Sequence, residues 1–327
     1  MIRNLEIENF KSIKYLKLEC KRINLFIGEP NTGKSNILET IALLSHICHE
    51  GNICDFIRFE NMMDLFYDRI LENKVKILFD EKELWMSLEN EKYSIYAGEK
   101  GIYCNISRYN HEGLMVHRAS SRFLEDFRKF KFYRFRVRSD FPNKRSDFLN
   151  PPDGDNLFAV VVARKDLRSI LKQIFGSFGL TLAFELHENK IRVQKQLEED
   201  IVISFPYSLA SETIQRLVFY LTAIYSNKNS VLAFEEPEAH AFPYYTKYLA
   251  EIIAQNKNNN QYFISTHNPY FLLSALEKAP KDEVAVFCTR LEDYQTKVKA
   301  LTEEQIGEIL EKGIDIFLNV KRFLEGA

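Results

Sequence analysis

The eight residues Gly28-Glu-Pro-Asn-Thr-Gly-Lys-Ser35 constrain this chain more than any other stretch. They fit the spacing G-x-x-x-x-G-K-[ST]. They follow the apolar run Ile23, Leu25, Phe26 and Ile27 and open a segment from about Lys34 to Cys48, where Ile37, Ile41, Leu44 and Cys48 recur at three- and four-residue steps. A buried strand, a tight loop and a helix start in that order point backbone N–H groups and a helix N-terminus at one place, which suits phosphate oxygens. The pattern predicts a phosphate-binding loop. Gly28 and Gly33 permit its tight backbone, and Glu29, Pro30, Asn31, Thr32 and Asn36 complete the nucleotide-binding stretch. Lys34 is expected on the β- and γ-phosphates and the Ser35 hydroxyl on Mg²⁺. A nucleoside triphosphate with Mg²⁺ is therefore expected.

A second acidic feature completes such a site. Val231-Leu-Ala-Phe-Glu235-Glu236-Pro-Glu238 is an apolar strand ending in acids. Glu235 is expected to hold Mg²⁺, through water, and Glu236 to position or deprotonate an attacking water. Glu238 reads as structural. Tyr262-Phe-Ile-Ser-Thr-His267 is another strand running into a polar turn. It puts His267 at the strand edge where open α/β sheets bind ligands, as a sensor of the γ-phosphate.

The rest of the chain is ordinary in composition. Hydrophobic residues are 46 % and charged residues 28 % of 327, which excludes disorder for the bulk of the chain. Lys and Arg number 44 against 46 Asp and Glu, a net charge of −2, so no global charge announces a nucleic-acid or membrane partner. No run approaches the roughly 20 apolar residues of a membrane helix. The N-terminus lacks a signal-peptide core, and five cysteines form no disulfide scaffold in a chain this long, so a cytoplasmic, reduced protein is expected.

Along the chain, residues 2–27 read as two strands joined by a turn, with Tyr15, Leu16 and Leu18 between them. Residues 75–118 read as short strands. Helices are expected at about 156–175 and 208–226, strands at 180–205, and the order Val231–Phe234 strand, Tyr245–Ala254 helix, Gln261–Ser265 strand predicts an α/β fold with parallel strands. The tail from Thr302 has helical spacing.

Taken together these motifs resemble an ABC-class ATPase head of the RecF/SMC/OLD-like branch, without a nuclease domain. Ile7-Glu-Asn-Phe-Lys-Ser-Ile13 resembles the family's first strand, which puts Lys11 and Ser12 near nucleotide. The phosphate loop, Glu235-Glu236-Pro-Glu with Ala-His240 beyond, and Ser265-Thr-His267 match in order. The resemblance implies a P-loop fold with mixed sheets and a β-rich insertion in one head: an N-lobe of about 1–118, a basic, aromatic insertion of about 119–150, and a C-lobe of about 151–327. It also implies ATP as the nucleotide, ATP hydrolysis, and an ATP-dependent homodimer in which each nucleotide meets a signature segment of the other chain. Ser211, in Ser208-Leu-Ala-Ser211-Glu-Thr-Ile-Gln-Arg216, is the match to the signature serine, 24 residues before Glu235; such a serine is equally an N-cap. Glu212 and Thr213 replace the usual glycines. The family's Mg²⁺-watching glutamine has no counterpart, since no Gln occurs from Asn36 to Lys172; Asn61 or Asp64 could substitute. The tail after His267 is too short for the nuclease domain of related members, so a separate nuclease or other effector chain is a candidate partner, beside nucleic acid, in repair, maintenance or defence. An ATP-gated protein-binding clamp with slow hydrolysis is the alternative.

Two weaker signals remain. His46, Cys48, His49 and Cys54 crowd the end of the first helix, but their spacing matches no regular zinc site. Residues 118–145 hold seven Arg and three Lys against three acids, a local +7, interleaved with Phe123, Phe127, Phe130, Phe132, Tyr133 and Phe135. That stretch reads as a nucleic-acid track, a partner-protein contact or plain scaffold.

Overall fold

The computed structural model describes residues 1–49, 51–99, 101–118 and 122–325, with the side chains of Arg122, Phe123 and Glu325 outside the description. The chain opens with three strands, β1 (Asn4–Phe10), β2 (Ile13–Glu19) and β3 (Ile23–Gly28). Residues 13–19, expected to lie between two strands, are thus themselves a strand. Its alternation is real, with Ile13, Leu16 and Leu18 inward, and it pairs antiparallel with β1. Helix α1 (Lys34–His46) follows and is buried from Ile37 to its end. The one-sided spacing seen in the sequence understates this, because the helix is packed between layers and carries Thr40, Ser45 and His46 inside as well.

After the single turn α2 (Ile53–Phe56) come β4 (Val75–Phe79), β5 (Lys82–Glu89), β6 (Lys92–Glu99), β7 (Ile102–Tyr109) and β8 (Met115–Arg118). They continue an antiparallel seven-stranded sheet of order β2-β1-β4-β5-β6-β7-β8. β9 (Phe130–Tyr133) then enters a different sheet, beside β13 (Val231–Glu235) and parallel to it. The stretch expected to be an insertion therefore supplies an edge strand of the central sheet. Its aromatic residues Phe127, Phe130, Phe132, Tyr133 and Phe141 are buried in the core.

The single helix expected at about 156–175 is two, α3 (Leu157–Ala163) and α4 (Lys165–Gly176), broken at Arg164, which adopts an extended backbone. β10 (Thr181–Glu185), β11 (Lys190–Gln196) and β12 (Val202–Pro206) form a separate three-stranded sheet, and α5 (Glu212–Ser226) leads into β13. α6 (Pro243–Gln255), β14 (Gln261–Ser265) and α7 (Pro269–Lys278) complete the expected strand–helix–strand unit. The hairpin β15 (Val284–Glu292) and β16 (Gln295–Ala300) was not legible in the sequence; α8 (Glu303–Lys312) and α9 (Val320–Glu325) close the chain.

The central sheet has the order β16-β15-β3-β14-β13-β9. Its strands β15, β3, β14, β13 and β9 run parallel. That brings the C-terminal ends of β3, β13 and β14, with the phosphate loop, the acids and His267, to one edge. One buried cluster fills the space between this sheet and helices α3 to α7, the other the space around α1 and the seven-stranded sheet. Among the described residues no helix is long and apolar enough to cross a membrane.

Candidate functional site

The loop after β3 is built around two glycines. Gly28 has φ 149° and Gly33 φ 92°, and a Cβ on either would stand 2.4 Å from Thr289 Oγ1 or 1.9 Å from Thr296 Oγ1. Only glycine fits, because the unforeseen β15–β16 hairpin lies directly behind the loop. Its threonines tie the loop down. Thr32 and Thr289 hydroxyls are 2.6 Å apart, as are those of Ser12 and Thr296, and Asn36 donates to Ser12 Oγ at 2.6 Å.

Gly33 sits at the N-terminal boundary of α1, so the amides of Lys34 and Ser35 begin the helix with no side-chain cap to satisfy them. Lys34 Nζ donates to the carbonyls of Gly28 and Glu29 at 2.9 and 2.8 Å. Burial pulls its ammonium down to about 8, against the opposing charge of Glu236.

A cleft of about 430 Å³ opens here, lined by Ser12, Pro30 to Asn36, Arg58, Glu236 and His267. The size suits a nucleotide. Glu236 follows β13 in the left-handed region at φ 43°, a conformation that persists only where surroundings enforce it. Its N–H donates to Ser265 O at 3.1 Å, and its Oε1 is 3.5 Å from His267 Nε2. Burial, then the Lys34 charge, lowers the His267 pKa, with Glu236 opposing. A carboxylate side chain and an imidazole thus face one cleft with the phosphate loop.

Glu235 ends β13, and its Oε1 and Oε2 accept from Arg58 and Arg134 at 2.9 Å each. Burial pushes its carboxyl up, but the Arg134 charge, the nearby Ser35 hydroxyl and the Arg58 charge outweigh this and leave it below the usual carboxylate range. A hydroxyl and an ionised carboxylate are hard oxygen donors of the kind Mg²⁺ takes; Ser35 lines the cleft, while both Glu235 oxygens are ion-paired with arginines, so Glu235 fits the expected metal through water rather than by direct ligation.

Some expected residues fall elsewhere. Lys11 is turned away from the cleft, onto buried Glu39 and the carbonyl of Arg58. Asn61 and Asp64 cap a short helical turn and each other, Asn61 accepting from Met63 N–H and Asp64 from Asn61 N–H. Neither lines the cleft; Arg58, from the same segment, does. Ser211 occupies the N-cap position of α5 but is exposed, and its hydroxyl makes no cap hydrogen bond. The neighbouring Thr213 hydroxyl donates to His240 O at 2.9 Å, tying this segment to the acid turn.

The His and Cys cluster does not converge. His46 Nε2 meets the Tyr109 hydroxyl at 2.9 Å, His49 Nε2 meets Phe130 O at 3.3 Å, and Cys54 is exposed. The basic stretch is largely engaged too: Arg134 with Glu235 and Glu39, Arg136 with Asp55, Arg138 with Asp153. Sequence reasoning missed Arg58 and Glu39 altogether. The only signal for Glu39 was an acid on the helix after the phosphate loop.

Two family profiles match the chain between residues 1 and 274. "AAA ATPase domain" matches residues 1–144, and "AAA domain, putative AbiEii toxin, Type IV TA system" matches residues 105–274, more than half of the chain. The chain belongs to this AAA-domain ATPase family. A DNA replication and repair protein RecF from Lactobacillus gasseri is 30 % identical over 110 residues, 30 % of this chain and 29 % of that protein. The chain thus matches under a third of that relative's length. Among solved structures, an SMC head bound to the C-terminal winged-helix domain of ScpA aligns over 94 % of this chain and 99 % of that one, with TM-score 0.56 and 15 % identity. An SMC head with an extended coiled coil, bound to a ScpA C-terminal domain derived from Pyrococcus furiosus, aligns over 95 % and 98 %, with TM-score 0.55 and 14 % identity. These two share the fold of this ATP-binding head.

Proposed function

We propose that this ATPase head hydrolyses ATP with Mg²⁺ and closes on a second copy of itself around the nucleotide, serving a DNA-associated process together with a partner protein. The observation that carries the reading is the meeting of Glu236 and His267, 3.5 Å apart, in the cleft lined by the phosphate loop. Lys34 and the loop amides bind and orient the triphosphate. Glu236 accepts the proton of the attacking water, and His267 senses the γ-phosphate oxygens. Mg²⁺ at Ser35 and Glu235 would supply charge neutralisation on the β- and γ-oxygens.

In the dimer, exposed Ser211 would face the partner's nucleotide. Its uncapped hydroxyl supports this reading, and the absence of glycines at 212 and 213 makes the contact looser than a glycine-bearing segment allows. RecF and the ScpA-bound SMC heads are the likeness behind the DNA-associated process and the partner chain; a separate nuclease or effector would take that place here, in the cytoplasm. The ion-paired state of Arg134, Arg136 and Arg138 favours the second reading, a protein-binding clamp, over a DNA track along that stretch.

Phosphate release from ATP and Mg²⁺, with and without duplex DNA, tests both. Turnover that rises with DNA supports the first reading. Turnover indifferent to DNA but dependent on a co-purifying protein supports the clamp. Tight Mg²⁺-dependent ATP binding with no phosphate release removes hydrolysis from the account.

A further inference from the structure

We propose that Glu238 is the positioning residue of the hydrolytic pair: its buried carboxyl fixes the Thr266–His267 turn against the Glu236 turn, so that His267 and Glu236 face each other across the cleft. The inference rests on the hydrolytic reading of that pair. Glu238 lies two residues beyond Glu236 and is 5 % exposed. Its Oε1 accepts from the Thr266 hydroxyl and from the His267 N–H, the latter at 3.3 Å. Thr266 Oγ1 accepts in turn from Asn268 N–H at 3.0 Å, and Asn268 caps α7 through Tyr270 N–H and Phe271 N–H. The end of β14 and the start of α7 are therefore referenced to one carboxyl on the end of β13.

Its other oxygen, Oε2, is buried and has no hydrogen-bond partner among the described residues. An orphaned buried oxygen costs stability, and burial drives the carboxyl up to about 7. An aliphatic residue would fill the space without that cost. What it could not do is accept at once from a hydroxyl and from the next backbone amide. On the other side of Pro237, Glu236 N–H is held by Ser265 O, and Ala239 N–H donates to Glu236 O at 3.0 Å. The two turns are thus cross-tied on both sides of the proline. This gives the enforcement that the left-handed backbone of Glu236 requires.

The test uses Glu238→Ala, Glu238→Gln and Thr266→Val in the full chain, with ATP turnover and NMR titration of His267. Glu238→Ala should lower kcat about tenfold or more through misplacement of the pair, with KM for ATP unchanged. Glu238→Gln keeps a carbonyl acceptor for Thr266 and His267 and should recover turnover to within about threefold, while Thr266→Val should fall between. On a His267→Ala background, Glu238→Ala should cost nothing further. In Glu238→Ala the His267 imidazole, depressed in the parent, should move up toward about 6.5. Unchanged kcat, additive losses on the His267→Ala background, or an unmoved His267 titration would overturn the proposal. If the parent hydrolyses no ATP, the hydrolytic reading fails by itself and the His267 titration still decides the positioning role. If Glu238→Ala does not fold, the contrast between Gln and Thr266→Val decides it, and equal behaviour of those two overturns it.

Discussion

Arg134 Nε lies 2.9 Å from Glu235 Oε2, and Arg134 follows directly on β9, the strand beside that acid in the central sheet. Arg58 reaches the other oxygen, Oε1, also at 2.9 Å, while both guanidinium groups share Glu39. With Lys11 on Glu39 as well, three cations serve two carboxylates beneath the phosphate loop. Arg134 and Glu39 are mostly out of solvent, with side chains 18 % and 1 % exposed, whereas Arg58 is 58 % exposed.

That difference separates the two arginines experimentally. Arg134→Ala strips a cation from buried Glu39 and mostly buried Glu235 and should cost about 3 kcal/mol. Arg58→Ala leaves Arg134 and Lys11 in place at a wetter position and should cost under about 1 kcal/mol. Urea unfolding midpoints check both; equal losses would contradict the burial argument.

Lys34→Ala should abolish nucleotide binding, since it deletes the point charge on the β- and γ-phosphates. Calorimetry with ATP reads this directly, and unchanged affinity would remove the phosphate site.

Lys34 also sets a pH signature. Its folded-state pKa is lowered to about 8 from near 10.5, so the unfolded chain binds this proton more tightly. Burial of the charge costs stability below about pH 8, and that cost is relieved as pH rises from 8 toward 10.5. A bound triphosphate restores the ammonium, so ATP binding near pH 8.5 should take up protons. Calorimetry in buffers of different ionisation enthalpy measures the uptake; no buffer dependence would mean that Lys34 stays charged in the free protein.

Gly33→Ala should weaken ATP binding tenfold or more, because the new Cβ would lie 1.9 Å from Thr296 Oγ1 at a φ that alanine rarely adopts. Since the clash comes from the hairpin, Thr296→Gly should recover part of the loss. Full affinity in Gly33→Ala, titrated with ATP, would show that the hairpin does not constrain the loop.

On the proposed mechanism, Glu236→Gln removes the base and a negative charge beside the triphosphate while keeping side-chain shape. Turnover should fall by about 10²–10⁴ and the protein should accumulate as an ATP-bound dimer by mass action. Ser211→Arg should return it to monomer by crowding the closing face. Light scattering with ATP and Mg²⁺ reads both; a monomer in every condition, or a dimer indifferent to ATP and to Ser211→Arg, would exclude the sandwich.

The sequence by itself determined the chemistry that sits at strand ends. Gly28 to Ser35, Glu235 with Glu236, and Ser265 to His267 are each a short apolar run followed by polar residues, and strand-then-turn patterns are local. Parallel pairing of β3, β14 and β13 then carries all three to one edge without further information. Tertiary structure alone decided what stands behind and beneath them. The threonines that make glycine obligatory at positions 28 and 33 come from a hairpin more than 250 residues away in the chain. Charge counted along the chain leaves the basic stretch open between a nucleic-acid track, a partner contact and scaffold. In the fold, Phe130, Phe132 and Tyr133 are core, and Arg134 neutralises carboxylates at 39 and 235. Long-range ion pairing leaves no periodicity in a sequence, and neither does a carboxyl such as Glu238, whose partners at 266 and 267 become neighbours only when two strand ends lie side by side.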